Sequence, residues 1–165
     1  MTAQEFFRLA KRLKDLKASN PAAFAEEKKQ YRIQNNQAAY GICQAIDQEF
    51  EEAGNTFAAL MNQEAETNAR FLLTFIFRQN IDAGQKVVQE SYKSFNAKRI
   101  AGIVARAASE SSVAKLDRVY ALHIAEEAYV GGYSIIALDL LDDIDRYAMA
   151  ETNALRDKIN KRKKK

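Results

Sequence analysis

The chain is poor in the residues that make turns and cross-links. Its 165 residues include one proline (Pro21), six glycines and one cysteine (Cys43). β-Sandwiches and barrels need many tight turns, so this scarcity argues against both folds. A lone cysteine excludes an intramolecular disulfide and argues against a thiolate zinc site.

Sequence signatures of catalysis and of membrane insertion are also missing. The chain contains no glycine-rich phosphate loop, no G-x-S-x-G nucleophile motif and no dinucleotide fingerprint. The most apolar stretches, 71–77 and 128–138, are shorter than the roughly 18–20 residues of a membrane span. The first residues lack the charged leader and apolar core of a secretory signal. We therefore expect a non-enzymatic protein without a cofactor, in the cytoplasm or in a particle assembled there.

What the sequence does contain is a composition typical of helices. Apolar residues make up 47% of the chain and charged residues 28%, and Ala, Gln, Glu, Lys, Leu and Arg dominate. The composition predicts an all-α fold, a bundle of about five to seven helices with a long C-terminal helix. We expect one helical domain over 1–157, its first helix amphipathic and basic over 1–19, followed by a basic tail over 158–165.

Capping signals predict where the first helices begin and end. Thr2 and Glu5 have the spacing of a capping box, and Asn20 followed by Pro21 predicts the start of a second helix. We expect this second helix to continue to Gly54, with an interruption in the polar run 34–37.

A third helix is expected from Asn55 to about Asn80, with its 71–77 segment buried because that segment is apolar on nearly every side. Three shorter helices are predicted over 83–94, 97–108 and 113–129, capped by Asp82, Asn96 and Ser111 or Ser112. A turn at Gly131 and Gly132 should precede the last helix. The apolar seam of this last helix fades toward its end, so the helix is able to project from the bundle.

Charge is distributed unevenly along the chain. Residues 1–17 carry a net charge of +3 and the last eight residues add six positive charges, so residues between them must carry −6 of the formal total of +3. Basic ends on an acidic body favour contact with an anionic partner, either nucleic acid phosphates or an acidic protein surface. The alternative without a partner is a solvent-exposed helix end whose cations interact favourably with the helix dipole. The expected contact residues are Lys158, Lys161, Arg162, Lys163, Lys164, Lys165, Arg8, Lys11 and Arg12.

The first helix has two readings. Its apolar residues lie opposite lysines and arginines, as in a helix that binds at a membrane interface. The commoner arrangement is a helix docked on its own bundle with its cations in water, and we favour it.

Two acidic groups suggest further sites. The first is a possible docking patch for the basic end of another copy, formed by Asp139, Asp142, Asp143 and Asp145. The second is His123 with Glu126 and Glu127, which faintly resembles the carboxylate–histidine pairs of di-metal helical bundles. The order of the residues is wrong for that motif, and the chain has a single histidine.

These observations favour a non-enzymatic structural or adaptor subunit that self-associates or docks onto a larger assembly. A nucleic-acid-binding accessory protein that uses its basic termini is the second hypothesis. A carboxylate metal-binding bundle is the third.

Overall fold

The computed structural model describes residues 1–63, 65–110, 122, 125–126, 128–130 and 132–163, with the side chains at 92, 97–98, 105, 108–110, 143–152 and 162–163 left aside. Every regular element in these ranges is an α-helix, and no strand occurs within them. The all-α prediction is confirmed. Contacts along the chain group it into two compact units, Met1–Ala83 (unit 1) and Gly84–Lys165 (unit 2). The single domain over 1–157 stays a prediction.

Unit 1 contains the first five helices, and two of their caps match the sequence signals. The Thr2 hydroxyl accepts a hydrogen bond from the backbone N–H of Glu5 at 3.1 Å, and the Asn20 side chain accepts one from Ala23 at 3.1 Å. Pro21 occupies the first turn of the second helix, where its missing N–H costs nothing. The helices are α1 (Ala3–Ser19), α2 (Pro21–Ile33), α3 (Gln37–Ile46), α4 (Phe50–Asn62) and α5 (Glu66–Gln79).

The predicted second and third helices were wrong in extent. The interruption expected within 34–37 is present, but the chain breaks again after Ile46, where Gln48 adopts a left-handed backbone with φ of 63°. Neither Gly54 nor Asn55 marks a boundary, because both lie inside α4. The third helix is likewise replaced by α4 and α5.

The core of unit 1 is built on α5. All seven residues of the 71–77 segment are buried, as its apolar pattern predicts. α3 packs closely on this helix: a Cβ added at Gly41 would lie 2.6 Å from Leu72 Cδ2. α1 joins the same core through Phe6 and Leu13, which are fully buried.

After α5 the chain follows the predicted order of shorter helices, with one cap corrected. α6 (Ile81–Ser94) starts in unit 1 and continues into unit 2. Its cap is Asn80, whose side chain accepts a hydrogen bond from Ala83 N at 2.9 Å, and not Asp82. α7 (Ala97–Glu110) starts after Asn96, which accepts from Arg99 N at 3.4 Å as predicted. Residues 122, 125–126 and 128–130 are helical, Gly132 forms a turn, and the other positions of the helix predicted over 113–129 lie outside the described residues.

The C-terminal helix runs from Ser134 to Lys163, as long as the sequence suggests. It cannot be a straight rod. Arg156 Nη2 lies 2.8 Å from Asp142 Oδ1, whereas 14 residues of straight helix would separate their backbones by about 21 Å. The helix therefore bends sharply between these two residues. Ile159, near its end, is fully buried, whereas Lys158, Asn160 and Lys161 beside it are exposed. A helix end that projects from the bundle stays a prediction.

Candidate functional site

The outward face of α1 carries the exposed cations of the N-terminal end. Phe6, Ala10 and Leu13 are buried in unit 1, so the apolar face of this helix is already occupied. Arg8 and Lys11, three residues apart, are exposed and adjacent on the opposite side. Of the two readings of this helix, the structure shows the docked one.

Arg12 makes internal contacts instead. Its guanidinium donates two hydrogen bonds to the Glu27 carboxylate, at 2.9 and 2.8 Å, which joins α1 to α2. The Tyr31 hydroxyl donates to the same carboxylate at 3.0 Å. The hydrogen bond from Arg12 has the largest effect on the pKa of Glu27 and lowers it. Partial burial acts in the opposite direction, but with the hydrogen bond from Tyr31 the net result is a lowered pKa. Arg12 therefore belongs to the packing of the helices, and its role as a contact residue stays a prediction.

A second ion cluster holds the loop between α3 and α4. Lys17 and Lys28 each lie 2.7 Å from a different oxygen of Asp47, and Lys28 also pairs with Glu49. Partial burial opposes ionisation of Asp47, but the hydrogen bonds from both lysines prevail and lower its pKa. The pKa of Lys28 is raised for the complementary reason, since its carboxylate partners outweigh its own desolvation. This cluster accounts for the break that the sequence did not reveal.

The basic C-terminal end is supported by contacts within unit 2. Lys158 Nζ lies 3.8 Å from Glu126 Oε1, and both side chains are more than half exposed. Lys161 is exposed. The other predicted contact residues of this end lie outside the described side chains: Arg162, Lys163, Lys164 and Lys165.

The acidic cluster is partly neutralised within the chain. Asp139 and Asp142 are exposed, and Asp142 receives the hydrogen bond from Arg156 described above. The side chains of Asp143 and Asp145 lie outside the described residues. A docking patch for another copy stays a prediction. Arg156 of the same chain already binds Asp142, so it would compete with a partner for this carboxylate.

The two groups considered for chemistry have different outcomes. His123 and Glu127 lie outside the described residues, and the described ones contain no group of three or more metal-ligating side chains. Cys43 is fully buried on α3, and burial raises the pKa of its thiol to about 12. A thiol that stays protonated and enclosed is a packing residue rather than a nucleophile.

Sequence reasoning missed a polar cleft in unit 1. It has a volume of about 340 Å³ and lies where the end of α2, the connection to α3 and one face of α4 meet. Every lining residue except Ala59 is polar or charged. Asn35, at its edge, has a left-handed backbone with φ of 56°, which asparagine tolerates better than most residues. The polar run 34–37 is the one sequence signal for this cleft, and the sequence analysis used it only to predict a break in a helix.

Comparison with known proteins gives no match, whether with family models, with curated proteins or with solved structures. Within the described part of the chain, none of the helices combines the length and hydropathy needed to cross a membrane.

Proposed function

We propose that this chain is a non-enzymatic helical subunit that docks through its basic helix faces onto an acidic protein surface, with another copy of itself as the first partner. The observation that carries the proposal is the placement of Arg8 and Lys11. Both are exposed on a helix that buries Phe6, Ala10 and Leu13 on its other side, so their position is fixed by the core of unit 1. We place this activity in the cytoplasm or in a particle assembled there.

The cations on α1 divide into two groups by their contacts. Arg12 and Lys17 hold carboxylates of their own unit, at 2.8 and 2.7 Å, and Lys14 donates to the Gln79 side chain at 3.3 Å. Arg8 and Lys11 have no such ion pair among the described residues. Internal packing therefore explains the first group and leaves the second for an outside partner.

Energetics predict a weak, salt-sensitive association. An exposed ion pair contributes about 0–1 kcal/mol, and charges further apart than about 10 Å are screened at 0.1 M salt. Two cations alone would not hold two chains together, so the exposed Lys161 and further contacts have to contribute. Asp139 is an exposed carboxylate in the predicted acidic patch that could receive one of them.

Light scattering at low and high salt tests the proposal. For the full chain we expect a mass above 18.6 kDa at low salt that falls toward this value as salt is raised. Arg8→Gln with Lys11→Gln should lower the low-salt mass. Lys29→Gln with Lys86→Gln is the matched control, because it removes the same charge from two other exposed positions and should leave the mass high.

A mass of 18.6 kDa under all conditions would refute self-docking. The nucleic-acid hypothesis is then tested with the same variants and a labelled single-stranded oligonucleotide. Binding that falls steeply with salt and is lost in the Arg8 and Lys11 variant, but kept in the control, would favour it.

A further inference from the structure

We propose that the polar cleft of unit 1 is a binding site for a small neutral carbohydrate, a mono- or disaccharide. This inference is independent of the docking proposal, because the cleft is formed by α2, α3 and α4 and contains neither Arg8 nor Lys11. Its volume of about 340 Å³ lies at the lower end of the range for ligand sites, roughly 300–1,000 Å³.

The floor of the cleft presents a buried amide with hydrogen-bonding capacity to spare. Gln44 is only 5% exposed, and its Oε1 accepts a hydrogen bond from the Thr56 hydroxyl at 2.5 Å. Its amide nitrogen adds two donors that take part in none of the described hydrogen bonds, and this nitrogen is not among the enclosed atoms left without a partner. These donors are therefore open to water or to a ligand in the cleft.

The wall of the cleft has a second incomplete amide. Gln37 Oε1 is buried and has no hydrogen-bond donor among the described groups. The terminal torsion of a glutamine is broad, and a half-turn exchanges this oxygen with the amide NH₂. The Tyr40 hydroxyl and the exposed Asn55 amide add groups that both donate and accept.

The mixture of donors and acceptors points to a sugar rather than to other ligand classes. Each hydroxyl of a sugar donates one hydrogen bond and accepts others, which matches amides and hydroxyls on the protein. The charges of Arg32 and Glu52, both on the lining, offset each other, so the cleft offers no concentrated positive charge for a phosphate.

The test is an NMR titration of the ¹⁵N-labelled full chain with glucose, N-acetylglucosamine, maltose and trehalose, and with adenosine as a probe of another class. The side-chain NH₂ signals of Gln44 and Asn55 report directly on the cleft. We expect saturable shifts of these signals with at least one sugar. Asn55→Ala and Tyr40→Phe should each weaken that binding about 2- to 10-fold, the loss expected for one neutral hydrogen bond.

Asn62→Ala is the matched control, since it removes an exposed asparagine of the same helix outside the cleft and should leave the affinity unchanged. Asn55→Ala keeps the test sound if Tyr40→Phe does not fold, because Asn55 is exposed and alanine favours helix. Shifts that do not saturate with any sugar, equal affinity in the cleft variants and wild type, or saturable binding of adenosine alone would each overturn the proposal.

Discussion

Ile159 should matter more to the stability of unit 2 than any of the lysines around it. Its side chain is fully buried although it lies within the basic tail. Replacing a buried isoleucine with alanine costs about 2–5 kcal/mol, and with valine about 0.5–1.5 kcal/mol. We therefore expect Ile159→Ala to lower the free energy of unfolding by about 2 kcal/mol or more, with Ile159→Val between it and wild type.

The matched variants are Lys158→Gln and Lys161→Gln. The contact of Lys158 with Glu126 spans 3.8 Å between two side chains that are more than half exposed, which limits its contribution to about 0–1 kcal/mol. Lys161 is exposed. Both lysine variants should stay within about 0.5 kcal/mol of wild type, the usual range for surface substitutions away from special features.

Urea unfolding followed by circular dichroism gives the free energies, and hydrogen exchange with mass spectrometry locates the loss. Protection should fall within α7 and the C-terminal helix and be retained in α3 and α5, since Ile159 belongs to unit 2. The reasoning is refuted if Ile159→Ala behaves like wild type, or if either lysine variant costs as much as Ile159→Ala. The result also decides how the tail is to be tested, because deletion after Asp157 removes Ile159 together with the charges.

Three further predictions concern unit 1. Gly41→Ala should lower the urea midpoint, because the new Cβ meets buried Leu72 at 2.6 Å and overpacking of about 1–3 kcal/mol exceeds a helix-propensity gain of about 1 kcal/mol; an unchanged or higher midpoint would contradict this. Cys43 should react with a thiol reagent at pH 8 only after denaturation, since it is enclosed and its pKa is raised; rapid reaction of the folded chain would count against the described burial. Asp47 has a lowered pKa, so its contribution to stability is present above the unfolded value of about 4 and is lost as the pH falls through the folded value; Asp47→Asn should be less stable than wild type at pH 7, and the difference should shrink in acid. A constant difference from pH 7 down to strongly acidic pH would refute that assignment.

Capping residues in the sequence correctly predicted the starts of three helices. Thr2, Asn20 and Asn96 cap as expected because a cap is a contact over three residues, and the sequence displays both partners. Asn80 was missed in favour of Asp82, two residues away, although both residue types are good caps. The sequence alone does not decide between two suitable residues so close together.

The break between α3 and α4 was missed for a different reason. No proline or glycine marks it, and Gln48 is not a residue that favours a left-handed backbone. Lys28, about twenty positions earlier, reaches both sides of the break through Asp47 and Glu49. Such a contact depends on how α2 packs against α3, and periodicity within one helix carries no information about it.

The cleft could not be predicted from the sequence either, because it too depends on how the helices pack. Its polar residues are spread over 31–56, on three helices and one connection, and none of them forms a motif on its own. The run 34–37 indicated a weak point in a helix because it is entirely polar and its two asparagines are poor helix formers. Only after the chain turns at Asn35 do Gln37, Gln44 and Asn55 line one space.

The same reasoning changes what the uneven charge of the chain means. A count of charges treats all five cations of residues 1–17 alike, but three of them contact side chains of unit 1. A cation held by a carboxylate of its own chain must lose that partner before it binds another, so it adds less to an outside contact than its charge suggests. Arg8 and Lys11 bear no such cost among the described contacts. Replacing Arg8 and Lys11, and comparing the effect with that of replacing two other exposed lysines, therefore distinguishes a docking surface from a surface that is only basic. The net charge of the chain does not make this distinction.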